Sequence, residues 1–156
     1  MGKEIERKFL VKGDLWKQGA TGVAYRQGYL STVKERTVRV RTVGARGYLT
    51  IKGLTVGVTR SEFEYEIPTV DANAMLDTLC ERPLIEKNRY TIGHAGVTWE
   101  IDEFFGDNRG LVVAEVELND EQQALTLPPW AGQEVSGDPR YFNSNLIKNP
   151  YTRWTT

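Results

Sequence analysis

Glu4-Ile5-Glu6-Arg7-Lys8-Phe9-Leu10-Val11, near the start of the chain, carries Glu4, Glu6 and Lys8 at every second position. In an extended strand, side chains two apart share a face, so Glu4, Glu6 and Lys8 project together while Ile5, Arg7 and Phe9 project oppositely. Same-face neighbours lie about 6.5 to 7 Å apart. At that spacing two carboxylates can share a small cation, and a lysine can reach an anion held by it. The same two-residue rhythm returns along the chain, and this repetition decides the fold class.

Working outward, residues 3–11 are followed by the turn-rich Lys12-Gly13-Asp14 and by Gln18-Gly19-Ala20-Thr21-Gly22. Strands are predicted over residues 23–30, 36–43, 48–52, 60–67, 86–92, 97–104 and 111–118. Gly44-Ala45-Arg46-Gly47 and His94-Ala95-Gly96 read as hairpin turns. Helix signals are few. Asp71 is placed to cap a helix over 72–79, ending before Pro83. Asn119 to Leu125 reads as a short helix stopped by Pro128-Pro129. Asp138-Pro139 starts a third helix that runs from Arg140 to Ile147, and Leu15 to Gln18 adds a turn. Seven or eight antiparallel strands with short links predict a mainly β protein, a closed barrel or a sandwich.

The faces separate these two options. Val38, Val40, Leu49, Ile51, Phe63, Tyr65, Ile101 and Val116 lie on one side of their strands, and the other side is almost purely ionic. If the apolar side packs on helices and loops, the ionic side encloses a polar lumen. Strand by strand that side carries Glu4, Glu6 and Lys8; Arg39 and Arg41; Lys52; Glu62, Glu64 and Glu66; Lys87 and Arg89; Glu100 and Asp102; Glu115 and Glu117. A solvated sheet face laced with ion pairs is the plain alternative. Such faces mix signs and are diluted by Thr, Ser and Gln, whereas like charges at i, i+2 repel and gain nothing without a counter-ligand.

Twenty Lys and Arg against 21 Asp and Glu leave a net charge of -1, which argues against nucleic-acid binding through a broad basic surface. A compact anion needs only a local cluster. Cys80 is the single cysteine, so a disulfide scaffold is excluded. No apolar run nears the ~20 residues of a membrane span, and the N-terminus carries charge from Lys3 on. A single domain over 1–156, cytoplasmic and without a membrane or nucleic-acid partner, is expected, with monomer and homodimer both open. Lysines and arginines from several strands suit a polyanion of more than one phosphate. Paired carboxylates without a His or Cys cluster suit a hard divalent ion, Mg²⁺ or Mn²⁺, in place of zinc.

The ordered series Glu4-Ile5-Glu6-Arg7-Lys8, Arg39-Val40-Arg41, Thr50-Ile51-Lys52, Glu64-Tyr65-Glu66, Lys87-Asn88-Arg89, Glu100-Ile101-Asp102 and Glu115-Val116-Glu117 resembles the CYTH, or triphosphate tunnel metalloenzyme, superfamily. The resemblance covers residues 4 to 147. It implies a closed eight-stranded antiparallel barrel whose tunnel holds a triphosphate. It assigns Lys8, Arg39, Arg41, Lys52, Lys87 and Arg89 to the substrate, and Glu4, Glu6, Asp102, Glu115 and Glu117 to two divalent ions and the attacking water. Glu4, Glu6, Lys8 and Lys52 are the residues expected at the chemistry itself. The expected reaction is hydrolysis of inorganic triphosphate to pyrophosphate and phosphate, with weaker action on nucleoside triphosphates. A class IV-like adenylate cyclase and a thiamine triphosphatase are the alternatives within the resemblance. Arg140-Tyr141-Phe142-Asn143 resembles the C-terminal helix that closes the tunnel in compact bacterial members, with Tyr141 either on a phosphate or packed.

Overall fold

The computed structural model describes residues 2–154. Nine strands form one antiparallel sheet: β1 (Gly2–Val11), β2 (Val23–Ser31), β3 (Arg36–Val43), β4 (Arg46–Gly53), β5 (Thr59–Ile67), β6 (Ile85–His94), β7 (Val97–Phe104), β8 (Val112–Glu117) and β9 (Ala131–Glu134). Their order is β5-β4-β3-β2-β6-β7-β8-β1-β9, and β5 also pairs with β1. That last pairing closes eight strands into a barrel and leaves those eight no long free edge. One edge of β1 serves two partners. Its first residues, Gly2 to Ile5, pair with β5, and Phe9 and Val11 pair with β9. The β6–β7 hairpin turns at Ala95 and Gly96, both at positive φ, the conformation a two-residue hairpin requires.

Closure follows from the period-two pattern, because only a closed sheet gives every ionic face an interior. The inward faces are not ionic throughout, however. At one end they turn apolar: Lys8 gives way to Leu10, Lys87 to Ile85, Asp102 to Phe104, Glu115 to Val113, and Gln27 to Tyr29. There Tyr29, Ile85, Phe104, Leu111 and Val113 form a core with Tyr141, Leu146 and Ile147. The last two belong to α2 (Asn143–Lys148), which closes that end of the barrel. Tyr141 is a packed aromatic, edge-on to Trp154 at 5.1 Å.

Two further cores cover the outside. α1 (Thr69–Thr78) lays Ala72 and Leu76 against Val40, with Leu49 and Ile67 alongside. Phe9, Trp16, Tyr90, Trp99, Ile101, Ala114, Val116 and Leu118 form the other, with Leu125 and Trp130 from the loop after β8. The expected burial of the outer apolar face therefore holds for Val40, Ile101 and Val116, with Leu49 partly covered. It fails on β4 and β5, where Ile51, Phe63 and Tyr65 are 37%, 49% and 58% exposed.

The helix expected over 119–125 does not form. Side chains there take the backbone donors: Gln123 Oε1 accepts from Asn119 N at 2.7 Å, and Asp120 Oδ1 accepts from Gln122 N at 2.7 Å. The segment stays irregular and leads to β9, a four-residue strand with no legible alternation. The third expected helix is split. Asp138 accepts from Arg140 N at 3.0 Å and caps a 3₁₀ turn, Pro139–Tyr141, and α2 starts afresh after the extended Phe142. α1 starts at Thr69, so Asp71 sits in its first turn and does not cap it. Among the described residues no helix is long and apolar enough to cross a membrane.

Candidate functional site

A cavity of about 270 Å³ runs inside the barrel. Its walls include all six cations singled out in the sequence, Lys8, Arg39, Arg41, Lys52, Lys87 and Arg89, together with Glu4, Glu6, Glu115 and Glu117. Residues from β1, β3, β4, β6 and β8 meet there because the register places them in the same interior zone. Glu6 lies opposite Glu117, Lys8 opposite Glu115, Glu115 opposite Glu100, and Lys52 opposite Glu62.

At the acid-rich flank, lysine ammonium groups stand between carboxylates. Lys8 Nζ is 3.1 Å from Glu6 and 3.2 Å from Glu115. Lys52 Nζ is 3.0 Å from Glu4 and 3.3 Å from Glu62. The carboxylates respond differently. Burial and the neighbouring Glu115 charge push Glu6 up to about 8. Burial, with Glu4 and Glu62 nearby, also raises Glu117. Burial acts upward on Glu115 as well, but Lys8 and Arg89 hold it well below the usual carboxylate range. Glu4 is held low by Lys52 against the same burial. An acid cluster in which some members resist ionisation has room for more positive charge.

Across the lumen, Glu64 gathers Arg39 and Arg41 of β3. Its Oε2 accepts from Thr50 Oγ1 at 2.8 Å, Arg41 Nη2 at 3.2 Å and Arg39 Nη2 at 3.4 Å. Arg41 also stacks on Tyr25, its guanidinium 5.2 Å from the ring, and Arg89 lies 5.0 Å from the same ring. Toward the closed end, Asp102 binds Arg89 Nε at 2.7 Å through Oδ1, and Arg89 Nη2 at 2.9 Å and Lys87 Nζ at 2.7 Å through Oδ2. Asn143 on α2 accepts from Lys87 Nζ at 3.1 Å and from Gln27 Nε2 at 3.0 Å, tying the closing helix to the cavity floor. Burial lowers the Lys87 ammonium to about 8 despite Asp102 beside it.

The structure thus brings together every sequence-selected site residue except Asp102 on the cavity wall. The Asp102 side chain is fully buried, and both oxygens are committed to Lys87 and Arg89. Glu62 and Glu64 reach the lumen, whereas Glu66 points to Arg46 outside it, 4.0 Å away. Reading charge alone passed over Tyr25, Thr50 and Asn143. Tyr25 and Thr50 do lie in step with the lumen-facing residues of their strands, but Asn143 is placed by tertiary folding alone.

A family model described as the CYTH domain matches residues 2–150. The chain is 58% identical over 151 residues to an inorganic triphosphatase of Acetivibrio thermocellus, covering 97% of both chains. It is 38% identical over 152 residues to an inorganic triphosphatase of Nitrosomonas europaea, covering 92% of this chain and 95% of the relative. A solved inorganic triphosphatase structure superposes with a TM-score of 0.63 at 33% identity, covering 92% of this chain and 96% of that one. With the closed eight-stranded barrel and its ionic lumen, these matches establish that the chain belongs to the CYTH family.

Proposed function

We propose that this protein is a metal-dependent hydrolase of inorganic triphosphate, cleaving it within the barrel to pyrophosphate and phosphate. The observation that carries the reading is the convergence of six cations from four strands, β1, β3, β4 and β6, on one cavity flanked by four glutamates. One phosphate has too few oxygens to engage six such groups, whereas three linked phosphoryl groups do. The two relatives named inorganic triphosphatase, matched over nearly the whole chain, support the same substrate.

Glu4, Glu6, Glu115 and Glu117 supply only hard oxygen donors, the set that suits Mg²⁺ or Mn²⁺. These four carboxylates would hold two such ions, which would offset phosphate charge and lower the pKa of a bound water. Lys8 and Lys52, standing among these acids on the cavity wall, are placed to neutralise charge on the reacting phosphoryl group. Arg39, Arg41 and Arg89 hold the remaining oxygens in fork geometry. Water attacks the terminal phosphorus, and the bond from that phosphorus to the bridging oxygen breaks, releasing pyrophosphate. We assign Asp102 to positioning, because its oxygens already fix Arg89 and Lys87 in register and it has no face on the cavity.

The test compares phosphate release from triphosphate, thiamine triphosphate and ATP with Mg²⁺ or Mn²⁺, while ATP reactions are checked for cyclic AMP. Triphosphate is expected to react fastest, and ATP more slowly, giving ADP. Conversion of ATP to cyclic AMP with triphosphate left intact would replace the hydrolase reading with the cyclase.

A further inference from the structure

Arg60 is the second residue of β5 and faces the lumen in step with Glu62 and Glu64. It lies opposite Glu4 in the β1–β5 register, yet the Glu4 carboxylate turns to Lys52 at 3.0 and 3.2 Å. Arg60 instead donates from Nη2 to Thr37 Oγ1 at 3.2 Å, and no carboxylate among the described residues pairs with it within 4.0 Å. The other six lumen cations each hold at least one such ion pair.

The buried donors sharpen the contrast. Among the described residues, three arginine Nε groups are buried without a partner, those of Arg39, Arg41 and Arg60. A buried donor left unpaired costs about 1–3 kcal/mol, so three in one lumen indicate an acceptor that the protein does not itself supply. Arg39 and Arg41 already belong to the substrate set. Arg60 shares their signature, and Thr37 holds its fork from β3, the strand that carries both.

Its place along the lumen is also defined. Arg60 and Thr37 line both the ionic cavity and a neighbouring chamber of about 340 Å³. Beyond Arg60 that chamber is walled by Leu54, Pro139 and Phe142. Among the described residues Lys34 is the one other cation on that chamber's wall, so the clustered cations of the lumen end at Arg60.

We propose that Arg60 is a seventh triphosphate-binding cation, holding the phosphoryl group at the end of the chain that abuts this apolar chamber. The proposal rests on the triphosphate reading and extends it, since a chain-end contact makes Arg60 a reader of substrate length. Pyrophosphate, held by the remaining cations, has no need to reach it.

The experiment compares wild type with Arg60→Gln, Arg60→Lys and Thr37→Val, each first checked by melting temperature. With Mg²⁺, Arg60→Gln is expected to raise KM for triphosphate at least about tenfold, the loss of a charge-assisted hydrogen-bond pair, while kcat falls much less. Arg60→Lys should rescue this only in part, because an ammonium lacks the fork. Thr37→Val should move KM in the same direction by a smaller factor, and it carries the test if Arg60→Gln fails to fold. Calorimetric titration should show triphosphate binding weakened more than pyrophosphate binding. An unchanged KM and unchanged triphosphate affinity in folded Arg60 variants overturn the proposal, as does equal weakening for both anions. Wild type that neither binds nor cleaves triphosphate overturns the underlying functional reading instead.

Discussion

Replacing Glu6 by glutamine should stabilise the metal-free protein at neutral pH while damaging its response to metal. Glu6 faces Glu117 across β1–β8, and its side chain retains 18% exposure within a cluster that includes Glu4 and Glu115. Burial first, and then the Glu115 charge, raise its carboxyl from 4.5 to about 8. A raised pKa means the folded state holds this proton more tightly than the unfolded chain does. The stabilising contribution is therefore complete below pH 4.5 and is lost as pH rises through 8. Each pH step in that window is worth about 1.4 kcal/mol, so at pH 7 the deficit reaches at most about 3.4 kcal/mol. Partial solvent access reduces this to about 2 kcal/mol. Glutamine keeps the shape and removes the ionisation. In excess chelator at pH 7, Glu6→Gln should melt about 4 to 8 °C above wild type. At pH 5 the difference should shrink to a degree or two, since little ionisation penalty has accrued there. Saturating Mg²⁺ should reverse the order at pH 7, because ligand binding stabilises only the form that keeps the carboxylate. Differential scanning calorimetry at both pH values, with and without metal, reads all of this. A Glu6→Gln protein less stable than wild type in chelator at pH 7, or equally shifted at both pH values, would refute the reasoning.

Three further outcomes are expected. Activity should vanish in excess chelator and return with Mg²⁺ or Mn²⁺, followed as phosphate release; undiminished turnover by metal-free protein would remove the metal from the mechanism. Glu117→Gln should abolish turnover with little change in melting temperature, because this exposed residue holds no ion pair within 4.0 Å among the described residues. Near-normal turnover by that variant would make Glu117 structural. Asp102→Ala should lower stability by about 3 kcal/mol by denaturant titration, because it leaves Lys87 buried without an ion-pair partner and Arg89 with only Glu100 and Glu115; a loss below about 1 kcal/mol would contradict the positioning role.

The strands were legible because their faces differ so sharply. Alternation at Glu4-Ile5-Glu6-Arg7-Lys8 and Arg39-Val40-Arg41 is a local property, set by the period of an extended chain, and it already states which side chains share a face. Like charges two residues apart add that this face needs a ligand. What lay beyond that local rhythm depended on closure. Pairing β1 with β5 brings Glu4 beside Lys52 and Arg60, residues far apart in the chain. Asp102 carries the same charge and spacing as its neighbours, yet Lys87 and Arg89 consume both its oxygens, a competition visible only once the strands are in register. Asn143 reaches the lumen floor from α2, a helix whose sequence carries no ionic rhythm. β9 and the irregular segment before it escaped the pattern because side-chain hydrogen bonds and the edge of β1, not hydrophobic periodicity, hold them in place. Face and charge are properties of neighbours along the chain; which charge meets which, and which is left free for a ligand, is a property of neighbours across the barrel.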